Sequence, residues 1–150
     1  MRKLLAACVI MGAMSITGSA TAQNGAWTYA YVDGVATATQ RDDDGDVVVT
    51  LTCRPPTGDI VITDHTFGRA ARRVESAGVR IGAMLVQVPA TVEGRGSRAR
   101  VVVNLPQRPP ILAAVQPTDR LSVTVNGTTH TYEDGGPAKM REVAYACWGS

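Results

Sequence analysis

The sequence lacks the short motifs that mark most enzyme active sites. It has no Gly-x-Ser-x-Gly nucleophile motif, no glycine-rich phosphate loop and no Cys/His spacing typical of a metal centre. It also has no internal repeat, linker or low-complexity run. No cofactor is predicted, and these absences favour a binding domain over an enzyme.

Long apolar runs are also scarce. The one at residues 4–16 follows two basic residues and precedes Ala20-Thr21-Ala22, which has the small-x-small form of a leader-peptidase site. We therefore predict a signal peptide at 1–22 and a single β-rich exported domain at 23–150. An alternative is lipoprotein processing at Cys8, although almost no apolar segment precedes that residue. Since no second run is long enough to span a bilayer, we expect no stable membrane insertion after leader removal.

The chain has no formal net charge once the predicted leader is left out. Without Arg2 and Lys3, the chain carries 13 basic and 13 acidic residues. Nucleic-acid-binding domains usually carry a clear basic excess, so a nucleic-acid partner is not expected.

Cysteine occurs only three times, and Cys8 belongs to the predicted leader. Cys53 ends the inward face of a predicted strand, in which Val47, Val49 and Leu51 alternate with polar or outward residues. Cys147 lies on the apolar stripe of a predicted C-terminal helix, whose other members are Met140, Val143 and Ala144. Because exported proteins fold in an oxidising compartment, we predict a Cys53–Cys147 disulfide that ties this helix to the strand.

The remaining pattern is that of short strands separated by turn residues. Alternating apolar and polar residues predict strands at 27–32, 35–40, 47–53, 60–63, 79–88, 98–105, 121–125 and 128–133. The pattern predicts a bulge at Gly82, a loop at 89–97 and no long helix within 64–78. The fold class is therefore mainly β, an antiparallel β-sandwich or small barrel of about seven or eight short strands with a C-terminal α-helix packed on it.

Arginine is concentrated in the middle of the sequence. Seven of the 12 arginines outside the leader lie between positions 69 and 100, and six of the 13 acidic residues precede position 60. Guanidinium groups bind phosphate and carboxylate in a bidentate manner, so we predict an anion-binding or partner-binding face. Its candidate residues are Arg69, Arg72, Arg73, Arg98 and Arg100. The same distribution suggests one acidic end and one basic end.

One weaker candidate site lies in the acidic segment before the strand at 47–53. Asp42, Asp44 and Asp46 surround Gly45, as carboxylates do in calcium loops, but a solvated hairpin turn is the favoured explanation. The position of the bidentate acidic ligand in a full EF-hand loop falls on Cys53. Metal binding is therefore not predicted beyond a weak cation site.

The favoured function is that of a non-catalytic exported bacterial protein, periplasmic or secreted, which binds another protein or an envelope component. One alternative is an inhibitor of a secreted hydrolase, such as a lysozyme or protease, presenting loop 89–97 or 106–119. A less favoured alternative is a small enzyme that uses His65 or His130 as a general base.

Overall fold

The computed structural model describes residues 27–53, 56, 58–106, 108, 110–112 and 115–148. The predicted leader and both of its cleavage sites lie outside these residues. The strands are β1 (Trp27–Val32), β2 (Val35–Arg41), β3 (Val47–Cys53), β4 (Ile60–Asp64), β5 (Ser76–Ile81), β6 (Met84–Glu93), β7 (Arg100–Leu105), β8 (Leu121–Val125) and β9 (Thr128–Thr131). One helix, α1 (Gly136–Trp148), and three short 3-10 segments complete the described fold.

All nine strands belong to one antiparallel sheet in the order β1-β2-β3-β4-β7-β6-β5-β8-β9. The sheet curls into a half-barrel with the helix packed on it, so the predicted mainly β fold with a C-terminal helix is confirmed. The sheet has one or two strands more than predicted. None of the helices in the described ranges is both long and apolar enough to cross a membrane.

The additional strand comes from residues 79–88, which were predicted as one strand with a bulge. They form the β5–β6 hairpin instead, in which Ile81 pairs with Met84. Gly82 has φ of 54°, the left-handed region that two-residue hairpin turns require and that glycine adopts easily. The prediction of one strand was wrong because the apolar run continues through the turn.

The predicted loop at 89–97 was wrong in its first half, where β6 continues to Glu93. β6 pairs with β5 up to Pro89 and with β7 from Ala90 onward. Pro89 has no N–H to donate to a ladder, and it stands where the strand changes partner. The sheet can therefore bend at this position without losing a backbone hydrogen bond.

The core lies between the inner face of the sheet and α1. Small residues on β2, Ala36 and Ala38, leave space for the helix, whose stripe Met140, Val143 and Ala144 is fully buried. The inward face predicted for β3 is correct at all three buried positions, which are Val49, Leu51 and Cys53. Burying such aliphatic side chains stabilises the fold by about 1.5–3 kcal/mol each for the larger ones.

A disulfide joins Cys53 at the end of β3 to Cys147 in the last turn of α1, as predicted, with the two Cα atoms 5.8 Å apart. Next to it, the indole Nε1 of Trp148 donates a hydrogen bond to the carbonyl oxygen of Gly58, 2.5 Å away. These two contacts hold the end of the helix against β3 and the β3–β4 connection. A structural disulfide indicates an oxidising, non-cytoplasmic compartment.

The two edge regions of the sheet are joined by side chains. The indole Nε1 of Trp27 on β1 donates to the carbonyl oxygen of Glu133, at 3.1 Å. The backbone N–H of Glu133 in turn donates to Oε1 of Gln40 on β2, at 3.2 Å. The segment that follows β9 is therefore bound to β1 and β2, which closes one side of the curled sheet.

Candidate functional site

The strand registers bring four connections to one end of the sheet. Val49 on β3 pairs with Asp64 on β4, and Asp64 pairs with Val101 on β7. The β2–β3 loop, the β4–β5 connection and the β6–β7 turn therefore all project from the same end. The β8–β9 turn joins them there, because the side chain of Asn126 bonds to the β4–β5 connection.

At this end two 3-10 segments, Gly68–Ala71 and Gly96–Arg98, lie side by side. The groove between them has a volume of about 360 Å³. Arginine side chains in or next to the two segments line it, and small or apolar side chains line the rest. The lining includes Arg69, Ala71, Arg72, Arg73, Val92, Arg95 and Ala99. We call this the basic groove.

Backbone contacts fix the shape of the basic groove. The N–H of Gly68 donates to the carbonyl oxygen of Ala99, at 3.1 Å, which links the two segments. The amide of Asn126 donates to the carbonyl oxygen of Arg72, at 2.9 Å. A side chain at Gly94 would meet the Arg98 carbonyl oxygen at 2.6 Å, so only glycine fits this close approach. The arginine side chains are thus carried by a backbone that is held in place.

The backbone of Arg73 adopts a φ of 55°, in the left-handed region that residues other than glycine rarely occupy. Such a conformation costs on the order of 1–3 kcal/mol and persists only where neighbouring contacts determine it. The hydrogen bond from Asn126 to the preceding carbonyl supplies one such contact. Strained conformations of this kind are common at binding sites, and Arg73 lines the basic groove.

The cationic side chains of the basic groove are not paired with carboxylates in the described part of the chain. Within the described ranges, no carboxylate lies within salt-bridge distance of Arg69, Arg72, Arg73 or Arg95. Glu93, the last residue of β6, is bound instead by Arg100, at 2.6 Å. Since all four arginines are exposed, their charges are available to an anionic ligand.

Of the five predicted anion-binding residues, Arg69, Arg72 and Arg73 therefore line one groove. Arg98 lies in the adjoining 3-10 segment but is not part of the lining, and Arg100 is occupied by its ion pair. Arg95 completes the groove and was not among the candidates. The sequence does indicate that Arg95 is exposed, because it lies between Gly94 and Gly96. Two glycines permit a tight turn, in which the side chain between them points outward.

The acidic β2–β3 loop is ordered by its own side chains. Oδ1 of Asp42 accepts hydrogen bonds from the backbone N–H groups of Asp44, at 3.1 Å, and Asp46, at 2.8 Å. Nη1 of Arg41 donates to the carbonyl oxygen of Gly45, at 2.7 Å. Nowhere in the described part of the chain do three or more His, Cys, Asp or Glu side chains converge as metal ligands. Backbone hydrogen bonds thus account for the position of Asp42.

The expected separation into an acidic and a basic end is wrong. Residues 42–46 project from the same end of the sheet as the basic groove, because β2, β3, β4 and β7 are antiparallel neighbours in register. The four aspartates of this loop, Asp42, Asp43, Asp44 and Asp46, are all exposed. This end therefore presents both charges side by side.

A second polar cluster surrounds the buried side chain of Asp64 at the end of β4. Its Oδ1 accepts hydrogen bonds from the backbone N–H and the hydroxyl of Thr66, at 2.6 and 2.8 Å. Its Oδ2 accepts from the hydroxyl of Tyr132, at 2.5 Å, and from Nδ1 of His130, at 3.0 Å. The His130 ring also stacks on Phe67, with the ring centroids 3.9 Å apart. These contacts link β4 to β9 across the curled sheet.

This cluster orients the imidazole of His130 in the manner of an acid–histidine pair. Both of its hydrogen bonds, to Asp64 and to the Thr66 hydroxyl, reach Nδ1. In the chain as described, no hydroxyl or thiol is hydrogen-bonded to Nε2, the nitrogen that would serve as a general base. The arrangement thus supports a structural link more directly than catalysis.

The environment also shifts the pKa of two neighbouring groups. Burial raises the pKa of the Tyr132 phenol well above its ordinary value, and the charge of Asp64 and the hydrogen bond to it add to the effect. Burial lowers the pKa of His65, and Arg100 lowers it further, while Asp64 opposes the shift. Tyr132 is therefore held as the hydrogen-bond donor that the Asp64 carboxylate requires.

Comparison with protein-family models, with curated proteins and with solved structures finds no match to this chain. Its function is therefore inferred from its own residues and their arrangement.

Proposed function

We propose that this is a non-catalytic exported protein, periplasmic or secreted, that binds an acidic segment of a protein or envelope partner in the basic groove. The observation that carries the proposal is a groove lined by four arginines with no acidic side chain in its lining. Like charges held together at a surface repel each other, and a bound anion relieves that repulsion. An unneutralised cluster on a fixed backbone is therefore suited to ligand binding.

The apolar side chains of the groove favour an anion carried on a larger body over a free inorganic ion. Ala71 and Ala99 are buried at its base and Val92 is half-buried. An acidic peptide offers both the carboxylates for the guanidinium groups and the methylene groups for this surface. Arginine also forms two parallel hydrogen bonds to each carboxylate, which fixes the orientation of the partner.

Neutralising the groove is expected to weaken acidic-peptide binding by about tenfold, since each of the three exposed ion pairs that are lost contributes about 0.2–1 kcal/mol. The test is the variant Arg69→Gln/Arg72→Gln/Arg95→Gln, with fluorescence anisotropy of a labelled oligoglutamate peptide as the measurement. Titrations at several salt concentrations should show weaker binding as salt rises, because these contacts are exposed.

The matched control is Arg80→Gln/Arg108→Gln/Arg141→Gln, which removes the same charge from exposed or half-buried positions outside the groove. It should bind the peptide within about twofold of the unchanged protein, since rim charges contribute little to affinity. Equal losses in the two triple variants would show that net charge alone attracts the peptide, and the proposal would be wrong. Affinity capture with crosslinking from an envelope extract, run with both variants, then tests for a natural partner.

A further inference from the structure

We propose that the acidic segment bound by the basic groove is the β2–β3 loop of a second copy of this chain. The inference rests on the proposed function, because it names the partner of that same groove. Each copy carries the loop at residues 42–46 and the groove at one end of its sheet. Two copies that face each other across a two-fold axis can therefore place each loop in the groove of the other copy.

The spacing of the two charged features suits a single interface. The β2–β3 loop and the β6–β7 turn are three strand spacings apart in the sheet order. At about 4.8 Å per spacing, this is about 14 Å along the sheet. A standard interface covers about 800 Å² of each partner, which is a patch about 30 Å across. Loop and groove thus fall within the footprint of one symmetric contact.

The two features do not neutralise each other within one molecule. The loop carboxylates and the groove guanidinium groups are exposed, so water and salt weaken the attraction between charges that are not in direct contact. Of the described residues, none of the loop aspartates takes part in a salt bridge. Both charge clusters therefore remain available for contact with another molecule.

The composition of the loop matches that of the groove. Asp43, Asp44 and Asp46 are exposed, and none of their carboxylates accepts a hydrogen bond in the described part of the chain. The loop is also preorganised, since the Asp42 carboxylate and the Arg41 side chain hold its backbone. A preorganised loop loses little conformational freedom on binding. Because the acidic and basic residues outside the leader are equal in number, no overall repulsion opposes self-association.

The test uses two charge-reversal variants of the disulfide-bonded protein. The loop variant is Asp43→Lys/Asp44→Lys/Asp46→Lys, which leaves Asp42 to hold the loop. The groove variant is Arg69→Glu/Arg72→Glu/Arg95→Glu. Sedimentation equilibrium at low and high salt measures self-association, and circular dichroism confirms that each exposed-surface variant keeps the fold.

The unchanged protein is expected to dimerise, with weaker association as salt rises. Each variant alone should self-associate about tenfold more weakly or worse, because both of its contacts then join like charges. An equal mixture should restore dimers, since the reversed loop of one variant faces the reversed groove of the other at one contact. At the second contact the unchanged loop and groove meet, so both contacts are attractive.

A monomeric unchanged protein, or a mixture that fails to pair while each variant is folded, overturns the inference. The proposed function is tested separately by the oligoglutamate titration. The unchanged protein could be monomeric and still bind the peptide, with that binding lost in Arg69→Gln/Arg72→Gln/Arg95→Gln. This result would support the proposed function and exclude a second copy as the partner of the groove.

Discussion

Replacing Cys53 and Cys147 together by alanine is expected to lower the free energy of unfolding by about 2–5 kcal/mol. The two residues are 94 positions apart in sequence, so the bond closes most of the domain into one loop. The chain-entropy model assigns about 4–5 kcal/mol to a loop of this length, because the bond removes extended conformations from the unfolded ensemble. Equilibrium unfolding in urea measures the loss.

The loss of stability should be accompanied by more frequent local opening of the last turn of α1. With the bond removed, the end of α1 is held by its buried stripe and by the hydrogen bond from Trp148 to Gly58. Amide hydrogen exchange at the end of α1 is therefore expected to accelerate more than exchange in β3.

Reduction provides the matched control. Dithiothreitol should lower the stability of the unchanged protein by a similar amount and leave the Cys53→Ala/Cys147→Ala variant unaffected. If the oxidised protein and the double variant unfold at the same urea concentration, the disulfide does not contribute to stability as argued.

Local periodicity was sufficient to predict this bond. The alternation of β3 and the helical stripe of α1 each place one cysteine on a buried face, and both placements follow from short stretches of sequence. The strands predicted at 121–125 and 128–133 are likewise separated by Asn126-Gly127, which supplies the two positive φ angles of the two-residue β8–β9 turn. Where the period and the turn residues agree, the sequence is informative.

Where an apolar run continues through a turn, the sequence is not informative. The hairpin at Gly82 lies inside such a run, so β5 and β6 were predicted as one strand. The predicted loop after Pro89 failed for the related reason that proline is compatible with a strand at the position where pairing changes. Neither outcome depends on local propensity, because sheet pairing determines both.

The candidate site depends still more on sheet order. Arg69 and Arg95 are far apart in sequence. They line the same groove because β4 and β6 both neighbour β7. Periodicity gives the face on which a side chain lies but not which strands are neighbours. The sequence therefore predicted the arginine clusters and missed both their common groove and the acidic loop beside it.

The contacts of Asp64 were likewise unpredictable, because they join β4 to residues near the end of the sheet. Asp64→Ala is expected to lower the free energy of unfolding by about 3–5 kcal/mol, since removing one member of a buried charged network leaves its partners unpaired. The groups left unpaired are the Tyr132 hydroxyl, the Thr66 N–H and hydroxyl, and Nδ1 of His130. Urea unfolding measures the total effect, and hydrogen exchange should show β9 opening first.

Two variants separate this network from the loss of a carboxylate in general. Asp134→Ala removes an exposed partner of Arg120 and should cost less than about 1 kcal/mol. Asp64→Asn keeps the side-chain shape and one acceptor oxygen, so it should lose less stability than Asp64→Ala. Its amide N–H₂ can face the Tyr132 hydroxyl while its oxygen still accepts from Thr66. A cost for Asp64→Ala no larger than that for Asp134→Ala would mean that the buried carboxylate does not hold β4 to β9.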